Sequence, residues 1–120
     1  MQRKNRLSRS RDFDAVYRHG RSVSTRFLTL HWFERSRDDD APEPRLGLAV
    51  PRAAGNAVVR NRIKRQLREI WRAKVDAGSL PPSNDYVIVV RPGLPEAAEA
   101  RGHDWLEERV DEVLAKVAAA

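Results

Sequence analysis

The chain has 120 residues, a length typical of one domain with a single modest core. Hydrophobic residues make up 41% of it, and there is no cysteine, which excludes a disulfide scaffold, a thiolate metal site and a cysteine nucleophile. No apolar run approaches the ~20 residues needed to cross a bilayer, and no apolar stretch of a secretory signal follows the basic N-terminus. These features predict a soluble, cytoplasmic protein with no membrane partner.

The net charge of +6 is concentrated in two blocks, and 19 of the 23 basic residues are arginine. Residues 1–26 hold eight basic and two acidic side chains, and residues 45–74 hold nine and one. Residues 96–120 hold three basic and seven acidic side chains. A surface that only confers solubility does not need this segregation, so the pattern favours nucleic acid as the partner. An acidic membrane surface or an acidic protein is the alternative.

The N-terminal third of the chain predicts an arm, a helix and a strand. Residues 1–9 indicate a flexible basic arm. Ser10 can cap a short helix that ends at Arg18 or His19, with Gly20 as its stop. Residues 27–33 then alternate in the pattern of a strand. One face would hold Leu28, Leu30 and Trp32, and the other Phe27, Thr29, His31 and Phe33.

The rest of the chain predicts an alternation of strands and helices. In order, the elements are a loop over 35–45, a strand over 46–50, a helix over 56–74 capped by Asn56, a linker over 78–84, a doubly buried strand over 86–90 and a helix over 104–118. Residues 1–120 are therefore predicted to form a single α/β domain. It would be a small α-β sandwich, in which an approximately four-stranded mixed sheet packs with three helices. One further strand before the long helix, to which the pattern assigns no residues, makes the order α-β-β-β-α-β-α.

Residues 55–72, which read GNAVVRNRIKRQLREIWR, carry the most informative pattern. An apolar stripe at helical spacing is formed by Val59, Ile63, Leu67, Ile70 and Trp71. The other side of the helix presents Arg60, Lys64, Arg65, Arg68 and Arg72, with Asn61 between them and Arg62 at the flank. Adjacent cations repel by a few tenths of a kcal/mol per pair, so a phosphate backbone is the expected partner. A merely solvated charged face is the alternative, but such faces interleave both signs, and Glu69 is the only acid here.

The same segment resembles the signature of the bacterial ribonuclease P protein component. The resemblance rests on residues 55–58, 60–65 and 67–69. It extends to Arg6-Leu7, Asp12-Phe13, Val16-Tyr17, His19-Gly20, residues 46–50 and Asp85-Tyr86-Val87, which follow in the family's order. It covers about residues 5–92, and the last helix matches in pattern only.

The resemblance implies a small RNA-binding subunit that pairs with a catalytic RNA. Together they would hydrolyse one phosphodiester bond of precursor tRNA and release its 5′ leader, as an endoribonuclease. It implies no catalytic or metal-ligating side chain in the protein, and Mg²⁺ held mainly by the RNA and the substrate. The three histidines, His19, His31 and His103, are scattered, and each is expected to be a surface or strand residue. No obligate protein partner is predicted.

Two groups of site residues follow from the resemblance. Contacts with the catalytic RNA are implied for Arg60, Asn61, Arg62, Lys64, Arg65 and, on the same helical face, Arg68. A cleft for the single-stranded leader is implied for Phe13, Tyr17, Arg52 and Arg91. Without the resemblance, core packing at i, i+4 would be the preferred interpretation of the two aromatic residues. Pro51 and Ala53 depart from the family's serine and basic pair, which leaves the leader contacts near that turn open. The resemblance also implies a left-handed β-α-β crossover.

Two other functions remain to be weighed. A non-catalytic RNA-binding ribosomal or assembly protein could share the basic helix, small sheet and acidic tail, but would not need aromatic residues lining a cleft. A DNA-binding helix-turn-helix protein would need two consecutive helices joined by a tight turn, whereas the basic helix is predicted between strands.

Overall fold

The computed structural model describes residues 6–7, 10–34, 44–80 and 84–120. Within these residues, four helices and a four-stranded mixed sheet confirm the predicted α/β sandwich. The helices are α1 (Ser10–His19), α2 (Ala57–Asp76), α3 (Leu94–Arg101) and α4 (His103–Ala119). The strands are β1 (Arg21–Ser24), β2 (Leu28–Glu34), β3 (Arg45–Ala49) and β4 (Asn84–Val90).

The sheet has the strand order β1-β2-β4-β3. β2 pairs antiparallel with both β1 and β4, whereas β3 pairs parallel with β4. The parallel neighbours β3 and β4 are joined through α2, as a parallel pair requires. The left-handed sense of this crossover stays a prediction.

The sheet is packed on both faces. On one face, α2, α3 and α4 bury the larger core, to which β4 contributes Tyr86, Ile88 and Val90. On the other face, α1 covers a smaller cluster that includes Val16 and Val87. The prediction that β4 is buried on both faces is therefore confirmed. The predicted stripe of α2 is confirmed too, since Ile63, Leu67, Ile70 and Trp71 are all buried.

The prediction of three helices is wrong, because residues that break the last strand also begin a helix. Pro95 lies in the first turn of α3, where its missing N–H has no intrahelical acceptor to lose. Gly102, with φ of +95°, then separates α3 from α4. The prediction that Phe27 shares a sheet face with Thr29 and His31 is also wrong, because β2 begins one residue later, at Leu28. The Phe27 ring packs on Trp105 of α4, with centroids 5.1 Å apart, and so joins the larger core.

Three predicted irregular segments fall largely outside the described residues. They are 1–5 and 8–9 of the arm, 35–43 of the loop and 81–83 of the linker. Of the arm, Arg6 and Leu7 are described, and they lie along the edge of β3. The Leu7 N–H donates to Leu46 O at 2.9 Å, and Leu7 is buried.

Gly20 holds α1 close to the sheet. A Cβ atom at this position would collide with the backbone oxygens of Trp32 and Val16. We expect Gly20→Ala to lower the free energy of unfolding by about 1–3 kcal/mol, because backbone cannot yield as a flexible side chain does. A thermal melt followed by circular dichroism measures this. Gly93→Ala is the matched control, since its Cβ would find Phe27 Cε1 at a comfortable 3.9 Å; equal melting of the two variants would contradict the explanation.

Candidate nucleic-acid interface

Helix α1 crosses the sheet along one row of paired residues. Gly47 of β3 lies opposite Val87 of β4, and Val87 lies opposite His31 of β2. Because side chains alternate along a strand, all three positions belong to the face that α1 covers. The register therefore decides which sheet residues the α1 side chains contact.

The two aromatic side chains of α1 lie at opposite ends of this row. A Cβ on Gly47 would fall 2.6 Å from Phe13 Cζ, so only glycine leaves room for the half-buried Phe13 ring. The Tyr17 ring meets His31 edge-on, with centroids 4.9 Å apart, and Tyr17 is 44% exposed. The two α1 rings are 6.3 Å apart. Phe13 thus anchors the helix, and Tyr17 leaves an aromatic surface open to a ligand.

Partial burial changes the titration of the Tyr17–His31 pair. It raises the pKa of the Tyr17 hydroxyl and lowers the pKa of the His31 imidazole. Both shifts favour the neutral forms at neutral pH. The pair therefore presents uncharged rings, which suit stacking more than ion pairing.

The next row of the sheet, beyond α1, is composed of small side chains that are half-buried. We call Ala49, Val89 and Thr29, which lie opposite one another on β3, β4 and β2, the open row. Ser24 of β1 extends it, and its Oγ lies 3.0 Å from Thr29 Oγ1. A shallow strip of this kind, bordered by Tyr17, can receive an extended chain.

On the other side of α1, a partly buried ion pair holds the strands and helix together. Arg45 Nε and Nη2 donate to the two carboxylate oxygens of Asp85 at 2.8 and 2.7 Å. The same guanidinium lies 4.0 Å from Asp12 Oδ1 of α1. Two parallel hydrogen bonds of this kind form a bidentate pair, which we call the fork. It fixes β3 against β4 and positions the N-terminal half of α1.

The basic residues of α2 form one flank of the helix. Asn56 begins the helix as predicted, since its Oδ1 accepts from the Val59 N–H at 3.0 Å. Successive residues of a helix are rotated by about 100°, and this spacing places five polar side chains next to the buried stripe, on one side of it. We call these the basic flank: Arg60, Asn61, Lys64, Arg65 and Arg68. None of its four cations forms an ion pair within the described residues.

The basic flank is electrostatically unfavourable in the protein alone. Burial and the neighbouring Arg6 lower the pKa of Arg68, so two guanidinium groups lie close together at the edge of β3. The Nε of Arg60 is buried and has no hydrogen-bond partner among the described residues. Buried donors of this kind cost free energy until an acceptor reaches them. An anionic partner would supply the charge that offsets the repulsion between the exposed cations.

Two other cations of α2 differ from the flank. Arg62 lies on the side that faces α3, where its Nη1 is 3.9 Å from Glu99 Oε1. Arg72 is paired with Asp76 Oδ1 at 2.7 Å, one turn further along the helix. The sequence pattern set Arg62 at the edge of the cationic face, but it grouped Arg72 with the other cations, because Asp76 lies beyond the segment that carries the motif.

Arg52 and Arg91 follow the C-terminal ends of the parallel strands β3 and β4. Arg52 is exposed in a short 3₁₀ turn, Arg52–Ala54, which Pro51 opens at φ −67°. Arg91 is exposed, and its Nη1 donates to Thr25 O in the β1–β2 turn at 3.1 Å. Arg91 comes two residues after Val89 in the direction of β4, so it lies beside the open row and one position beyond it.

Sequence reasoning missed His31 as a cleft residue. The sequence showed that His31 alternates with Leu30 and Trp32 along the strand. It did not show that Tyr17 of α1 packs on the face that carries His31. His19 is exposed at the end of α1, and His103 begins α4.

Within the described ranges, no group of three or more histidine, aspartate or glutamate side chains could hold a metal ion. In the same ranges, no helix has the length and apolar character to span a membrane.

Fold and surface together define a small basic α/β protein with a cationic helix flank beside an aromatic-bordered sheet. Comparison with known proteins identifies the family to which such a protein belongs. The family model described as Ribonuclease P matches residues 1–117. The ribonuclease P protein component of Mycobacterium avium is 40% identical over 99 residues, 82% of each chain. That of Streptomyces avermitilis is 37% identical over 118 residues, which cover 94% of this chain and 91% of the relative.

Solved structures agree with this result. The RNase P protein of Thermotoga maritima superposes with a TM-score of 0.77 at 30% identity, covering 91% of this chain and 94% of that one. The RNase P protein of Staphylococcus aureus has a TM-score of 0.77 at 27% identity, covering 95% and 94%. The chain belongs to the ribonuclease P protein family. It is a subunit of the ribonucleoprotein endoribonuclease that processes the 5′ leader of tRNA, with catalysis on the RNA.

The comparisons also decide between the functions weighed from the sequence. They support the ribonuclease P subunit and not the ribosomal or assembly protein. The basic helix α2 is not part of a helix-turn-helix unit, since it lies between β3 and β4.

The basic flank generates a prediction about assembly. We expect Lys64→Ala with Arg65→Ala to weaken binding of the RNA subunit and to reduce its salt dependence, because two phosphate contacts are lost. The slope of log K against log salt should fall by roughly 0.7–0.9 per contact. A filter-binding titration over several salt concentrations measures both effects.

The control for this prediction is Arg72→Ala on the same helix. Because Asp76 already neutralises Arg72, we expect a smaller loss of affinity and a smaller change of slope. Unchanged binding by the double variant would refute a role of the flank in assembly.

Proposed function

We propose that the protein binds the single-stranded 5′ leader of precursor tRNA on the open row while its basic flank binds the catalytic RNA subunit. The observation that carries this proposal is the juxtaposition of the two surfaces. The exposed ring of Tyr17 borders a strip of small side chains, and β3 separates that strip from the basic flank, whose cations have no acidic partner in the part of the chain that the structure describes.

The chemistry of the cleft suits a ligand of variable sequence. Stacking of a base on an aromatic ring contributes ~1–3 kcal/mol and tolerates any base. Tyr17 and His31 offer such rings, and the open row offers few groups that could read base edges. A subunit that serves many precursors needs this tolerance. Arg91 and Arg52, at the ends of β4 and β3, would contact leader phosphates.

The chemistry of the flank suits a structured RNA. Arg60, Lys64, Arg65 and Arg68 would neutralise phosphates, and Asn61 would donate to or accept from sugar and phosphate groups. Arg62 would contact the RNA from the side of α2 that faces α3. Release of the repulsion between Arg6 and Arg68 would add to the free energy of assembly.

Mg²⁺ would be held by the RNA subunit and the precursor rather than by this chain. The donors of the described cleft are hydroxyls, an imidazole and arginines, and these do not form the set of oxygen ligands that Mg²⁺ prefers. The contribution of the protein is therefore to bind and position the leader. We also propose the cytoplasm, where a ribonucleoprotein would meet precursor tRNA.

Tyr17→Ala tests the leader site. We expect this variant to weaken binding of precursor tRNA to the reconstituted ribonucleoprotein by about 5- to 150-fold, through loss of one stacking contact. Mature tRNA, which has no leader, should bind as before. The salt slope should not change, since the ring is neutral. Paired titrations with precursor and mature tRNA measure the difference.

Tyr17→Phe is the matched control, because it keeps the ring and removes only the hydroxyl. Phe13→Ala is less informative: truncation of a packed ring costs ~3–5 kcal/mol of stability and would reduce every activity together. An equal loss of affinity for precursor and mature tRNA in Tyr17→Ala, or a lower melting temperature, would favour a structural role of Tyr17.

A further prediction concerns the isolated protein. We expect the purified chain, freed of RNA, not to cleave precursor tRNA at any Mg²⁺ concentration, because its described surface lacks an acid–base or metal-binding constellation. Addition of the RNA subunit at low Mg²⁺ should restore release of the leader. Turnover that survives nuclease treatment of the protein would overturn the assignment of catalysis to RNA.

A further inference from the structure

A second cationic surface lies at the end of the sheet, away from the basic flank. A groove of about 580 Å³ opens between the β1–β2 turn, the end of β4 and helix α3. Its lining includes three arginines, Arg26, Arg91 and Arg101, and one carboxylate, Glu96. We call it the end groove.

The three arginines are exposed and available to a ligand. None of them forms an ion pair within the described residues, and Glu96 forms none either. Arg91 is held by the hydrogen bond from its Nη1 to Thr25 O, which leaves its other N–H groups unused by that contact. Three guanidiniums against one carboxylate leave a net positive groove.

Aromatic rings fix two of these guanidiniums from below. Arg26 Cζ lies 5.3 Å from the centroid of Phe27, and Arg101 Cζ lies 5.9 Å from that of Trp105. A guanidinium that rests on a ring by its flat face keeps its N–H edges directed outward. The two rings pack against each other, so both arginines rest on one rigid base.

Arg91 links the end groove to the open row around the end of β4. Arg91 follows Val89 of that row by two residues, and its hydrogen bond reaches the turn between β1 and β2. On the far side of the same turn, Ser24 and Thr29 complete the open row. A chain that leaves the open row beyond Val89 therefore meets Arg91, which lines the end groove together with Arg26 and Arg101.

We propose that the end groove binds the phosphates of the distal part of the leader, the nucleotides farther from the cleavage site than those beside Tyr17. This inference rests on the proposed leader site and extends it. Its consequence is a dependence on leader length, in which affinity rises when the leader becomes long enough to leave the open row and enter the groove. Because the contacts are to phosphates, the gain should not depend on leader sequence.

The test compares two reconstituted ribonucleoproteins. One contains the wild-type protein, and the other contains the double variant Arg26→Gln, Arg101→Gln. Three ligands are titrated: mature tRNA, a precursor whose leader ends within the open row, and a precursor whose leader extends past it. We expect the double variant to bind the long-leader precursor about tenfold more weakly than wild type. Its salt slope for that ligand should fall by roughly 0.7 per lost phosphate contact. The short-leader precursor and mature tRNA should be bound as by wild type.

Arg21→Gln is the matched control, since it removes one exposed guanidinium at the opposite end of β1. We expect it to leave the length dependence intact. An equal loss for all three ligands would place the groove on the tRNA body or the RNA subunit and would overturn the proposal, as would an unchanged length dependence in the double variant.

The same titrations separate this inference from the proposal on which it rests. If wild type prefers the short-leader precursor to mature tRNA and Tyr17→Ala removes that preference, the leader site is supported whatever the end groove does. If wild type shows no preference for any leader, both proposals fail. A thermal melt of the double variant excludes loss of the packing between Arg101 and Trp105 as the cause.

Discussion

The partly buried fork between Arg45 and Asp85 is the interaction on which the cleft depends. It joins the first residue of β3 to the residue opposite it on β4, and its guanidinium also lies near Asp12 of α1. Because Asp85 is buried, removal of Arg45 would leave its carboxylate without a counter-charge, and ~3–5 kcal/mol, the cost for a fully buried pair, is the upper bound. The fork therefore holds α1 at one end of the sheet, and the other end of the same face is left open.

The placement of α1 explains how one sheet face serves both packing and binding. A helix of ten residues cannot cover a four-stranded sheet, and α1 covers the rows that contain Arg45 and Gly47. Phe13 and Val16 supply its packing, which allows Tyr17 to remain exposed without loss of the core. The opposite face has three helices and the larger core, and this core supports the sheet while its other face stays partly open to a ligand.

The acidic residues of α4 neutralise cations outside the basic flank and the open row. On α4, Asp111 lies 2.6 Å from Lys74 Nζ, and the hydrogen bond with Asp111 raises the pKa of this lysine. Arg109 is similarly paired with Glu108 and Glu112. The cations of the basic flank have no such partners among the described residues. The segregation of charge along the sequence thus becomes a segregation in space, with α4 electrostatically satisfied and the flank of α2 available to phosphate.

The sequence alone determined the elements that depend on local pattern, and the tertiary structure decided the site. The apolar stripe, the Asn56 cap and the doubly buried β4 could be predicted, because helical spacing, capping chemistry and β-branched runs act over a few residues. The motif of α2 likewise identified the family. Helix α3 was missed because proline and glycine break strands and also begin helices. The pairing of Tyr17 with His31, the open row and the proximity of Arg62 to Glu99 could not be predicted. Each depends on strand register or on a partner distant in the chain, and register is decided only when both faces of the sheet are packed.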